Sequence, residues 1–189
     1  MSSTVNDSLM GQVQYRTCGV NGLDPRQLAL LPPVFADPDL SYGMLYARIL
    51  DARPNQYQVL VEAAAMSAAG YDDLTAVVAD YLARYPDLRV LISLQDGTVI
   101  YDSAAPVGTG PGENSYANFL AKSINENHNT RVAILDAQLG PLGLGYETKY
   151  STTTTQEEAY VALRLGDRRA SSGTFRVSQP LTLTAPMMP

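Results

Sequence analysis

The sequence predicts an α+β domain, in which helices come first and a five-stranded antiparallel sheet follows, with an extended arm before them and a short tail behind. Three observations predict it. Residues 41–85 carry apolar side chains at helical spacing. After Arg89 the period falls to two, and Asp96-Gly97 separates two β-prone runs. The last third alternates again, most clearly where Tyr160, Ala162 and Arg164 interleave with Val161, Leu163 and Leu165. Helices that precede strands, rather than alternate with them, imply a layer of helices on one side of a sheet.

Taken in order, residues 1–40 lack sustained periodicity and are rich in Gly, Pro, Ser and Asn. They read as an extended N-terminal arm with one short helix at Pro25–Leu31, since proline suits a first helical turn. The domain then runs over 41–181. Tyr42, Leu45, Tyr46, Ile49 and Leu50 form a first helical stripe, which Pro54 and Asn55 interrupt. Tyr57, Leu60, Val61, Ala64, Ala65 and Ala68 form a second, with Gly70 as its expected C-terminal stop. Leu74, Val77, Val78, Tyr81 and Leu82 form a third, with Asp72 and Asp73 near its start and Arg84 near its end, as the helix dipole favours. The alanines between Ala63 and Ala69 permit a close helix approach.

Arg89–Leu94 and Thr98–Asp102 read as strands around a Gln95-Asp96-Gly97 turn, because Asp-Gly tolerates positive φ. Ala104–Glu113 is a Gly/Pro-rich loop without the Lys-Ser/Thr ending of a phosphate-binding loop. Ser115–Asn125 reads as a short helix with Tyr116, Phe119, Leu120 and Ile124 inward, and Thr130–Gln138 as another. Tyr146–Ser151, Glu158–Leu165 and Thr174–Gln179 read as three antiparallel strands. Residues 182–189 are a C-terminal tail.

Composition narrows the function. Of 189 residues 46% are hydrophobic and only 17% charged, and the net charge is −6. Only Lys122 and Lys149 are lysines, so the basic stripe that nucleic-acid binding requires is missing. No run approaches the roughly 20 apolar residues that span a bilayer. Met1–Tyr15 is polar and does not read as a secretory signal. Cys18 is the single cysteine, which excludes an internal disulfide but permits an intermolecular one outside the cell. His128 is the single histidine and has no cysteine cluster to complete a zinc site. The carboxylates Glu157-Glu158, Asp72-Asp73 and Asp37/Asp39 do not converge by spacing, because neighbours on a strand or helix face different ways. No nucleophile motif appears, so no catalytic residue, metal or cofactor is expected.

Taken together, Leu88–Ser103, Asn125–Leu165 and Gly173–Leu181 resemble, in order and spacing, the single Cache domain (an extracytoplasmic PAS-like fold) of phosphate-regulon-like sensor histidine kinases. The matching pieces are the Asp96-Gly97 hairpin closed by Asp102-Ser103, and the Asn127-His128 and Arg131 segment. A Gly-rich turn, the Lys149-Tyr150-Ser151 and Tyr160-Val161-Ala162 strands and the closing Gly173-x-x-Arg176-Val177-Ser178-x-Pro180-Leu181 follow. The chain departs from the pattern at Lys149, where the family has arginine, and at Val132-Ala133, where it has Pro-Glu. Ala104–Gly112 has no close counterpart, and the family's membrane helices and kinase are absent from this sequence. The resemblance implies a five-stranded antiparallel PAS/Cache-like sheet with N-terminal helices packed on one face. It also implies non-enzymatic sensing at the cell surface or outside the cell. Within it, His128 belongs to a segment linking helix and sheet, with a structural hydrogen-bonding role.

A ligand pocket is expected between the sheet and the helices over it, with candidates Tyr101, Ser103, Tyr116, Arg131, Lys149, Tyr150, Tyr160 and Arg176. Arg131 and Lys149 suit a small carboxylate or phosphate, through charge-assisted hydrogen bonds. Thr152–Thr155 reads as a loop or the edge of a strand, or as an O-glycan acceptor in an extracellular protein. Two functions fit: a non-enzymatic Cache-like module that binds a small molecule, such as a small anion, or a partner protein in extracellular sensing and acts with a separate signalling protein, or a structural subunit of a filament, shell or virion. The second would homo-oligomerise through residues 1–40 and 182–189.

Overall fold

The computed structural model describes residues 41–104, 114–121 and 127–181. The arm with its Pro25–Leu31 helix, Cys18, most of the Gly/Pro-rich loop and the tail lie outside the described residues, and with them the segments on which the subunit reading depends. No helix among the described residues is long and apolar enough to cross a membrane.

Three helices come first: α1 (Ser41–Asp51), α2 (Pro54–Met66) and α3 (Ala68–Arg84). Arg53 takes a left-handed conformation (φ 54°) and Pro54 starts α2. Ser67 is extended; it ends α2 and caps α3, its hydroxyl accepting from the Gly70 N–H at 3.1 Å. Gly70 is therefore not the expected stop but the third residue of α3. A β-carbon there would lie 2.3 Å from the Ala63 carbonyl oxygen, so only glycine lets α2 and α3 turn this tightly. The earlier start also moves Asp72 and Asp73 beyond the first turn, which holds no acidic residue.

The strands are β1 (Arg89–Leu94), β2 (Val99–Asp102), β3 (Leu144–Ser151), β4 (Gln156–Leu165) and β5 (Gly173–Pro180). All pairs are antiparallel, in the order β2-β1-β5-β4-β3. The β1–β2 hairpin turns at Asp96-Gly97, where Asp96 Oδ1 accepts from the Thr98 N–H at 2.9 Å and Gly97 has φ 85°. One face of the sheet presents Val90, Ile92, Val161, Leu165, Phe175 and Val177 to α1–α3. The Tyr57 and Tyr81 rings close on Phe175 at 4.5 and 5.8 Å. Each such buried aromatic contributes about 1.5–3 kcal/mol of transfer free energy.

The other two helices occupy different sides. In α4 (Tyr116–Leu120), Tyr116 and Phe119 pack on Tyr71 of α3, whereas Leu120, expected inward, is 58% exposed; Ile124 lies outside the described residues. α5 (Val132–Leu139) lies on the opposite face of the sheet, its Ala133 and Ala137 seated on Ala162 of β4. Gly145 of β3 makes that seat: a β-carbon there would be 1.9 Å from the Ala133 carbonyl oxygen. Arg164 Nη1 donates to the carbonyls of Ala137, Gln138 and Gly140 at 3.1–3.3 Å, satisfying the end of α5. The result is a five-stranded antiparallel α+β fold, with the N-terminal helices on one face. Among the described residues, α5 covers only part of the second face, and the cavity lies beside it.

Candidate ligand site

Register builds this part of the sheet. Arg89, Ser178, Tyr160 and Glu147 stand side by side across β1, β5, β4 and β3, and Leu91, Arg176, Ala162 and Gly145 form the next row. Because side chains alternate along a strand, both rows point to the α5 face. From these rows Arg89, Tyr160, Glu147 and Arg176 line a cavity of about 250 Å³, together with His128, Arg131 and the β3–β4 turn. Its lining is Arg89, His128, Arg131, Glu147, Tyr160 and Arg176 on the sheet side, and Lys149 to Thr153 at the turn.

Five of the eight expected residues meet there: Arg131, Lys149, Tyr150, Tyr160 and Arg176. Three do not. A bulge in the β1–β2 pairing between Ile92 and Ser93 pairs Tyr101 with Ile92, and so turns it into the apolar core under the helices. The Ser103 hydroxyl accepts from the Val90 N–H at 2.9 Å and closes the hairpin. Tyr116 packs 6.3 Å from Tyr71 on the helix side. The cavity also lies on the face opposite the N-terminal helices, not beneath them. Arg89, Glu147, Ser151, Thr152 and Thr153 were not anticipated. For Arg89 and Glu147 the signal was parity with Tyr160, which becomes visible only when strand order is known. His128, expected in a link between helix and sheet, also lines the cavity.

Two buried arginines behave differently. Arg89 donates from Nε and Nη2 to the two Asp102 carboxylate oxygens at 2.9 and 2.6 Å, and from Nη1 to Ser151 Oγ at 2.9 Å. Its Nη1 also lies 3.5 Å from Glu158 Oε2. Glu158 is buried and accepts from Thr154 Oγ1 at 2.6 Å and Ser178 Oγ at 2.8 Å. Burial pushes its carboxyl up, but these hydroxyls, Tyr160 and the Arg89 charge outweigh it and hold the group below the usual carboxylate range. Arg89 is thus a neutralised strut.

Arg176 is not matched in this way. It is 3% exposed, its guanidinium stacks 4.9 Å from the Tyr160 ring centroid, and Nη2 lies 2.7 Å from His128 Nδ1. Its Nη1 is 3.8 Å from Glu147 Oε1, beyond hydrogen-bond range. Among the described residues, Arg176 Nε and Glu147 Oε1 are the buried side-chain polar atoms with no hydrogen-bond partner. Burial pulls the Arg176 guanidinium down to about 10, so it stays charged at neutral pH. With Arg89 neutralised, the described lining residues set Arg176, Arg131 and Lys149 against Glu147, a net positive balance.

No family model matches the chain, and no curated protein does. Solved structures with a similar fold include the ligand-binding domain of the Campylobacter jejuni chemoreceptor Tlp3 with 4-methylisoleucine. It is 13% identical with TM-score 0.45, over 71% of this chain and 53% of that one. The same receptor's sensory domain with isoleucine bound is 13% identical with TM-score 0.42, over 84% and 64%. Its complex with L-valine is 12% identical with TM-score 0.44, over 84% and 64%. The chain spans between about half and two thirds of the chains it matches.

Proposed function

We propose that this chain is a non-enzymatic ligand-binding module that captures a small anionic molecule in the cavity on the α5 face of its sheet. The observation that carries this reading is the pair of orphaned atoms, Arg176 Nε and Glu147 Oε1, in a positively charged cavity. A buried polar atom without a partner costs about 1–3 kcal/mol, and native proteins rarely tolerate it without a use. A ligand with an anionic group for Arg176 and a hydrogen-bond donor for Glu147 would satisfy both atoms at once. An α-amino acid or a small hydroxy acid has that pairing. The resemblance of Arg89–Leu181 to extracytoplasmic Cache domains supports assigning this capture to sensing outside the cytoplasm, relayed through a separate signalling protein.

The test is a thermal-shift screen with L-valine, L-glutamate, lactate, acetate and inorganic phosphate. A compound at a hundred times its Kd stabilises by about 2.7 kcal/mol. For a domain of this size that raises Tm by about 5–11 °C. The shift should vanish in Arg176→Met, provided that variant still unfolds cooperatively. No shift with any compound, or a shift that survives Arg176→Met, would contradict the proposal.

A further inference from the structure

We propose that His128 is a positioning residue for the guanidinium of Arg176, and that anion capture requires its imidazole to be neutral. The inference rests on the reading that the cavity takes an anion through Arg176.

The geometry dictates the protonation state. A guanidinium has only donors, so His128 Nδ1, 2.7 Å from Arg176 Nη2, must accept. The ring proton then sits on Nε2. The imidazole is not free to swing, because His128 is 4% exposed and its backbone is clamped on both sides. Its N–H donates to the Gly97 carbonyl at 2.8 Å, and its carbonyl accepts from the Arg131 N–H at 3.0 Å. The neighbouring Asn127 bridges to Thr98. A segment fixed to the hairpin tip therefore presents one lone pair to the buried arginine. The other holds on Arg176 are looser: the Tyr160 ring beneath it and Glu147 at 3.8 Å.

A second proton on the imidazole would set N–H against N–H and cation against cation. Among the described residues, the charged and titratable groups that line the cavity around this contact are Arg176 on β5, Glu147 and Lys149 on β3, Tyr160 on β4, Arg131 before α5, and Arg89 on β1. Arg89 is already bound to Asp102 and Glu158, and Glu147 lies towards Arg176 Nη1 rather than the imidazole contact. The charge in contact with Nδ1 is the arginine itself, which keeps its proton at neutral pH. Protonation drives the guanidinium from the position in which it faces the cavity. The added charge does little for an incoming anion when it displaces the charge already there. Orientation is lost, and affinity falls.

The chain has one histidine, so its imidazole nitrogens are unambiguous in a 15N spectrum. The experiment records that spectrum between about pH 8 and 5.5, alongside calorimetry with L-valine, L-glutamate, lactate and acetate, which stay ionised over the interval. At pH 8 the neutral ring should carry its proton on Nε2. Affinity should fall along the same curve as the imidazole gains its second proton, by about ten-fold for full protonation, the effect of one lost charge-assisted hydrogen bond, and should hold steady while the ring stays neutral. His128→Asn places an amide oxygen where Nδ1 was and does not titrate. It should bind at about wild-type strength at pH 8 and lose the pH slope, with His128→Gln as the alternative if the asparagine variant does not fold. A proton on Nδ1 of the neutral ring, a slope that persists in the amide variants, or an affinity that rises in acid would each overturn the inference. Failure of every compound to bind wild type at pH 8 would instead sink the anion-capture reading, and this inference with it.

Discussion

Replacing Arg89 by methionine isolates the buried charge network beneath the cavity. Methionine keeps the length of the stem and removes the guanidinium, so Asp102 loses bonds of 2.9 and 2.6 Å and Ser151 one of 2.9 Å. Glu158, 1% exposed, loses its nearest cation. Breaking a buried pair from one side leaves uncompensated charge and costs about 3–5 kcal/mol. Against a total stability of about 5–15 kcal/mol this is a large fraction. In a domain of this length it lowers Tm by about 6–20 °C. Urea unfolding followed by circular dichroism measures it, with an unchanged slope expected if only the native state is affected. Adding Asp102→Asn to the same chain should return part of the loss, because one of the stranded charges is gone. A loss below about 1 kcal/mol would resemble an exposed ion pair. That result, or no recovery in the double variant, would refute the description of Arg89 as a neutralised strut.

Three further outcomes follow from the packing. Gly145→Val puts carbon into the Ala133 carbonyl and should push α5 off the sheet, destabilising by at least about 1–3 kcal/mol, measurable by thermal unfolding. Arg164→Met removes a charged donor from three carbonyls at the end of α5; since Arg164 is half-buried, the loss should be near the low end for such bonds, about 1.5 kcal/mol, with faster amide exchange in the last turn of α5. Glu158 is held below its unfolded value, so its contribution is full above the unfolded pKa of about 4.3 and is lost as pH falls through the lower folded one; acid unfolding of Glu158→Gln should be less steep there than that of wild type.

Much of this architecture was legible because each local signal agreed with the others. The Asp96-Gly97 turn, the helical stripes ending at Arg84 and the alternation through Tyr160–Leu165 each specify one element without long-range information. Gly70 misled because glycine serves two purposes: it stops a helix by its φ, or admits a neighbour by its missing β-carbon. Only the Ala63 contact shows which applies. Tyr101 misled for a different reason: it does lie between the sheet and the helices, where the pocket was expected, but that space is filled by the apolar core and the cavity is on the other face. Arg176 and Tyr160 were legible as polar positions in apolar strands. Arg89 was not, since its proximity to Tyr160 depends on β5 lying between β1 and β4, and Glu147 was not, since it depends on the β3–β4 register. The side on which α5 lands follows from Gly145 and Ala162, two small residues far apart in sequence that pair across β3 and β4.

The most direct measurement is a crystal structure of the chain with the tightest binder from the screen. An anionic group should lie within hydrogen-bond distance of Arg176 Nε and a donor should face Glu147 Oε1, with Arg89 still paired to Asp102. A ligand lodged under α1–α3, or a cavity in which Arg176 Nε and Glu147 Oε1 stay without partners, would contradict it.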